Sequence, residues 1–203
     1  MANTKIEWCD ETINPVVGCS KCSPGCDNCY AERQAARLAK MSKTAVRYGG
    51  VVNNRGRWTG KLSQMDLSVF DRLPQRPCSV FIGSMTDLFH PNLDDDDGQL
   101  TRSLFSRMNE YPDHSFLILT KRPHLMRQAV EWVIAQDGEL PPNCWLGVTV
   151  CNQEEADDKI PMLLSIPAVG RFVSIEPMLG GINVAPWLRC KHPKSGVLIL
   201  MLT

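Results

Sequence analysis

The second half of the chain alternates between short apolar runs and helix-length amphipathic segments. Residues 79–83, 116–119, 145–150, 172–175 and 197–202 are nearly continuous in Val, Ile, Leu, Phe, Trp and Met. Such runs are what strands buried on both faces require. Each of the first four ends in polar residues: Ser84, Thr86 and Asp87; Thr120, Lys121 and Arg122; Asn152 and Gln153; Glu176. Between them, residues 99–109, 124–136 and 154–165 carry apolar positions at helical spacing, such as Leu100, Leu104, Phe105 and Met108. Pro161 is expected to break the third. Strand alternating with helix predicts a parallel sheet with right-handed crossovers.

The first third is less regular. Val16-Val17 reads as a short strand, with Pro15 restricting it to a start or an edge. Residues 30–43 read as a helix, rich in Ala, Arg, Lys, Leu and Gln, with Asp27 or Asn28 as cap. Residues 44–65 are glycine-rich and polar and read as an irregular insertion or loose hairpin. With Val16-Val17 counted, six βα-type strands make one α/β domain over residues 1–203. The expected architecture is a partial, open (β/α)6 TIM-like barrel, with a doubly wound open sheet as runner-up. Ligands of either bind at the carboxyl ends of the strands. That places Ser84, Thr86, Asp87, Thr149 and Glu176 around one mouth.

Composition narrows the class. The chain has 22 basic and 22 acidic side chains, so no global field steers it to a polyanion. Met1 to Glu7 lacks the apolar core of a signal peptide, and no apolar run approaches the ~20 residues that span a bilayer. The expected location is cytoplasmic, with no membrane partner. Nine cysteines, an odd number, argue against a disulfide framework in a reducing compartment. Cys9, Cys78, Cys144, Cys151 and Cys190 are scattered and read as small buried hydrophobes.

The other four, Cys19, Cys22, Cys26 and Cys29, crowd into a loop within residues 14–30 that follows the first strand. Pro24-Gly25 supplies a turn that lets the thiols face inward. Cys22, Cys26 and Cys29 read C-x3-C-x2-C; Cys19, Cys26 and Cys29 read C-x6-C-x2-C. A zinc ion is the simplest occupant, but structural zinc usually takes two well-separated pairs. An iron–sulfur cluster is larger and suits closely spaced thiols. Held by three thiolates, it leaves one iron open.

C-x3-C-x2-C after the first strand of a six-stranded βα barrel resembles the radical S-adenosylmethionine superfamily. That resemblance implies a [4Fe-4S] cluster whose open iron chelates the amino and carboxylate groups of S-adenosylmethionine. One-electron reduction then releases a 5′-deoxyadenosyl radical. A closer likeness covers most of the chain to about Trp187. It rests on Ile6-Glu7-Trp8, Asn14-Pro15-Val16-Val17-Gly18-Cys19, Ser23-Pro24-Gly25-Cys26-Asp27-Asn28-Cys29-Tyr30, Trp58-Thr59-Gly60, Ser84-Met85-Thr86-Asp87-Leu88-Phe89-His90, Leu119-Thr120-Lys121-Arg122-Pro123 and Ser174-Ile175-Glu176-Pro177. These blocks resemble a phage- and prophage-borne family of radical-SAM-like, three-cysteine proteins. In that family the matching cysteines are Cys19, Cys26 and Cys29, whereas the ordinary superfamily spacing selects Cys22, Cys26 and Cys29. The family continues past its last strand with a glycine-rich, acidic segment; here Cys190 to Gly196 leads to an apolar end, which reads as truncation or a divergent tail.

The resemblance implies radical chemistry on a substrate related to nucleic acid or nucleotide, and an external electron donor. Ser84, Thr86 and Asp87 would contact the amino group of S-adenosylmethionine; Thr149 and Glu176 would contact its ribose or the substrate. The competing reading is a binding module tied by zinc or an inert cluster, without catalysis. The four histidines fall in no hydrolase motif, so Ser/His or Cys/His catalysis finds little support.

Overall fold

A computed structural model of the chain describes residues 4, 6–93, 98–188 and the backbone of 198–202. Six parallel strands run in sequential order: β1 (Glu11–Ile13), β2 (Ser79–Ile82), β3 (Ser115–Thr120), β4 (Cys144–Thr149), β5 (Gly170–Ile175) and β6 (Leu198–Leu202). The sheet is open, with β1 and β6 at its edges. A doubly wound sheet reverses its order at a switch point; this order contains no reversal. Cys190 and the residues up to 197, on which the expected tail falls, lie outside the described residues.

The helices are α1 (Tyr30–Leu38), α2 (Ala45–Tyr48), α3 (Gln99–Asn109), α4 (Pro123–Asp137), α5 (Gln153–Ser165) and α6 (Ala185–Leu188). α3, α4 and α5 pack on one face of the sheet. Leu104, Met108, Met126, Val130, Ile160 and Leu163 meet Val80, Ile82, Phe116, Ile118, Leu146 and Val173 there in one dry core. Strand side chains alternate, so Phe81, Leu117, Gly147 and Phe172 point to the opposite face. On that face Trp8 lies 4.7 Å from the Phe81 ring and 5.8 Å from the Phe172 ring. β2 and β5 are three strand spacings apart, roughly 14 Å in a flat sheet. One indole reaching side chains of both shows that this face is concave. Gly147 makes room within it, because a Cβ there would sit 2.4 Å from the Phe172 ring.

Several local expectations are corrected. The first strand is Glu11–Ile13 rather than Val16-Val17. Val16 and Val17 are fully buried, but this stretch pairs with the insertion: Ser63 N donates to Val17 O, Asp66 N to Pro15 O and Val17 N to Ser63 Oγ. The helix expected over 30–43 stops at Leu38, where the Thr44 hydroxyl donates to the Leu38 carbonyl at 2.6 Å and turns the chain. Pro161 does not break α5; it sits on the exposed face of a helix that continues to Ser165. The insertion contains α2 and short bridges from Val52 to Gly49 and to Trp58.

Candidate functional site

The cysteine loop leaves β1 and crosses the carboxyl ends of the strands. Its first part is fastened by backbone. Gly18 N donates to Met85 O at 3.1 Å, Thr86 Oγ1 donates to Gly18 O at 2.7 Å, and Gly60 N donates to Cys19 O at 3.2 Å. Gly18 has φ +111, and a Cβ there would sit 2.2 Å from the Lys61 carbonyl oxygen, so only glycine fits. Its last part is a 3-10 turn over Pro24–Asn28, capped by Ser23, that delivers Cys29 to the start of α1.

All four clustered thiols line one cavity of about 110 Å³. Its other walls come from the strand ends and the insertion: Ser84, Thr86, Asp87, Lys121, Arg122, Thr149 and Trp58 among them. Sequence reasoning therefore grouped Ser84, Thr86, Asp87 and Thr149 as the structure does. Glu176 lines a neighbouring cavity of about 700 Å³ with Glu7, Trp8, Tyr30, Arg33 and Ser84, and accepts a hydrogen bond from Trp8 Nε1 at 3.4 Å. Tyr30 and Ser84 border both cavities, and the Tyr30 hydroxyl donates to Ser84 O. A groove of about 890 Å³ lies outside this region, between α3 and α4, and carries the Arg102–Asp137 pair rather than a thiol.

A buried ion pair stands behind the thiols. Arg122 Nη1 is 2.9 Å from Asp87 Oδ2, with side chains only 6% and 9% exposed. The Asp87 carboxylate also accepts from Phe89 N, Thr120 Oγ1 and Lys121 N. With four donors it is satisfied within the protein, and its direct role is to hold Arg122. Arg122 Nη2 donates to Ser20 O at 2.8 Å and Ser20 Oγ at 3.0 Å, and Nη1 reaches Cys19 Sγ at 4.0 Å. Ser20 Oγ is 2.7 Å from His90 Nε2, and His90 Nδ1 accepts from Asn92 N. Nδ1 being an acceptor, the proton of the neutral ring sits on Nε2 and is donated to Ser20. The chain Asp87–Arg122–Ser20–His90 thus clamps the cysteine loop to β3 and to the turn after β2. The sequence placed Arg122 at the mouth without this role; a charge of each sign directly after two neighbouring strands was the available signal.

The thiols differ electrostatically. Interaction with the neighbouring Cys22 thiol pulls the Cys26 thiol well below the ordinary range; burial opposes this, and the Lys121 cation assists. The same interaction, and then burial, pushes the Cys22 thiol up. Burial, then the Asp87 charge, pushes Cys19 up to about 11, with Arg122 acting against both. Among the described residues no three His, Cys, Asp or Glu side chains are gathered as they would be around one metal ion. The thiols line a cavity wall, half-buried for Cys19, Cys26 and Cys29 and exposed for Cys22.

A fifth cysteine supports the loop from below. A Cβ on Gly25 would lie 2.3 Å from Cys151 Sγ and 3.0 Å from Pro177 Cδ. Cys151 follows β4, is fully buried, and its backbone N donates to Glu155 Oε2, which pairs with Lys159. Gly25→Ala is therefore expected to cost about 1–3 kcal/mol by overpacking. Denaturant unfolding checks this, and adding Cys151→Ala recovers part of the loss.

His90 carries a pH prediction. Burial, then Arg122, holds its imidazolium below the usual histidine range. The unfolded chain then binds the proton first, so stability falls as pH drops below about 6.5 and is unaffected above neutrality. Thermal unfolding between pH 7 and 5 shows this slope, and His90→Gln removes its share of it.

Glu32 of α1 is the remaining buried acid near the mouth. It accepts from Arg57 Nη1 at 2.8 Å and Trp58 N at 2.9 Å, tying the insertion to α1. Among the described residues no helix is long and apolar enough to cross a membrane. Neither the curated proteins nor the solved structures contain a match to the chain. A family model described as "Protein of unknown function (DUF5131)" matches residues 3–189, and the chain belongs to that family.

Proposed function

We propose that the cavity holds a [4Fe-4S] cluster through Cys19, Cys26 and Cys29, and that the protein uses it to cleave S-adenosylmethionine and begin radical chemistry on a further substrate. One observation carries the reading: the clustered thiols share a single cavity at the carboxyl ends of parallel strands, faced by Lys121 and Arg122. Thiolate-bound clusters are anionic, and the Lys121 cation suits that charge, while Arg122 beside it is balanced by Asp87. The donor set is soft, as iron–sulfur ligation needs. The concave face and the sequential strand order support reading the fold as a partial (β/α)6 barrel.

When bound, such a cluster supplies the electron that splits S-adenosylmethionine into methionine and a 5′-deoxyadenosyl radical. The chain positions and shields. Cys19 is assigned as third ligand because its backbone is fixed on both sides, whereas Cys22 lies on an exposed stretch. Ser84, Thr86 and Thr149 supply wall hydroxyls for the amino-acid and ribose ends of S-adenosylmethionine. Asp87 serves through Arg122. Glu176 faces the adjoining cavity, which we assign to the substrate.

The test is anaerobic incubation of reconstituted protein with S-adenosylmethionine and dithionite. The reading predicts 5′-deoxyadenosine above the level given by Cys29→Ser protein. No excess over that control sinks it. Stoichiometric zinc after aerobic purification, with unfolding on chelation, supports a non-catalytic module instead.

A further inference from the structure

We infer that the surface beside the mouth, from α1 through the insertion, binds the phosphate backbone of single-stranded nucleic acid, which presents the substrate to the cavity. This rests on the reading above in taking the mouth as the reaction site. Between Asp27 and Asp66 the chain has eight Lys and Arg and one acid, Glu32. The rest of the neutral chain therefore holds fourteen basic and twenty-one acidic residues. Solvated faces of a neutral protein mix the two signs; within this segment the exposed charges are all basic, and the acids that border it are Asp27 at its start and Glu7 and Glu176 in the cavity that Arg33 lines. Glu32 is 2% exposed and already taken by Arg57 and Trp58. No carboxylate of this segment therefore reaches its surface.

Arg33, Arg37, Lys40, Lys43, Arg55 and Lys61 are exposed and have no ion-pair partner among the described residues. Arg33 and Arg37 lie one turn apart on α1, and Lys40 follows in the turn after it. The surface runs into both cavities: Arg33 lines the larger and Trp58 the thiol-lined one. Tyr30, 51% exposed, stands between them. A cationic track with aromatic rings at its end is the arrangement that holds a single strand, by phosphate contacts and base stacking. Chemistry on a base needs that base out of the stack, which favours a single strand over a duplex.

Fluorescence anisotropy with a labelled oligothymidylate of about 20 nucleotides tests this. Six phosphate contacts predict a slope of about −4 in log affinity against log salt. Arg37→Glu with Lys40→Glu and Lys43→Glu should weaken binding at least about tenfold and flatten the slope by about 2. The charge-matched control Arg72→Glu with Arg76→Glu and Arg127→Glu should bind nearly as the parent does. Equal loss in both triples, or none in the first, overturns the inference. So does equally tight binding to phosphatidylserine vesicles, an outcome to which Val46 (97% exposed) and Met41 (48%) would contribute. Iron and sulfide are measured on the same samples. Strand binding without a cluster upholds this surface and counts against the catalytic reading; a loaded cluster without strand binding does the reverse.

Discussion

Cys29→Ser and Cys19→Ser each leave anaerobically reconstituted protein with less than about a tenth of the parent iron, whereas Cys22→Ser keeps most of it. The contrast follows from where the backbone is held. Cys19 lies between Gly18, bridged to Thr86 and Met85, and Ser20, gripped by Arg122 and His90. Its backbone is held on both sides, and a ligand carried on a fixed backbone loses less entropy on binding. Cys29 ends the 3-10 turn that Cys151 supports from below, so it too is placed before any cluster arrives. Cys22 is exposed, with the Cys26 thiol as its neighbour. The check is iron and sulfide per chain, with the visible absorbance of the cluster. Iron lost in Cys22→Ser and retained in Cys19→Ser would reverse the assignment.

The second large effect is on stability. Asp87→Asn or Arg122→Met alone should cost about 3–5 kcal/mol, because each leaves an uncompensated buried charge. For a domain of this size that lowers Tm by on the order of 10 °C. Asp87→Asn removes the anion that holds Arg122 and leaves the guanidinium with the Ser20 acceptors. Arg122→Met leaves a carboxylate still fed by Thr120, Phe89 and Lys121 but without its cation. The double variant should cost clearly less than the two single losses combined, since the pair is removed together. An exposed pair gives the scale: Arg127 and Glu131, each about half exposed, should change stability by less than about 1 kcal/mol when broken. Both buried-pair variants should also lose iron: Arg122→Met removes the clamp on Ser20, and Asp87→Asn removes the anion that holds that clamp in place. Unfolding curves within about 1 kcal/mol of the parent would show that the pair does not anchor the loop.

Much of the sheet and of the mouth was legible from the sequence. Runs such as Phe116 to Leu119 and Phe172 to Ile175 are apolar on both faces, and the polar residues after them had to lie at the carboxyl ends. The helices α3, α4 and α5 followed from periodicity within a residue at either end. The first third was not legible in the same way. Val16 and Val17 look like a strand, but the backbone of Val17 and Pro15 is paired with Ser63 and Asp66, more than 40 positions away, and no local pattern announces such pairing. The end of α1 is set by one hydroxyl, Thr44, reaching back six residues. In the site, residue types pointed to a mouth but not to roles. Asp87 reads as a ligand contact until its four donors are counted, and Cys151 reads as a scattered hydrophobe until the loop is seen to rest on it. The surplus thiol could not be chosen by spacing because both sets share Cys26 and Cys29; fixation of the backbone around Cys19 is a property of the fold.

The most direct measurement is electron paramagnetic resonance of anaerobically reconstituted, dithionite-reduced protein, with iron and sulfide counted on the same sample. The account predicts about four irons and four sulfides per chain and a signal that shifts when S-adenosylmethionine is added. Protein that takes up no iron, or a signal unchanged by S-adenosylmethionine, would contradict it.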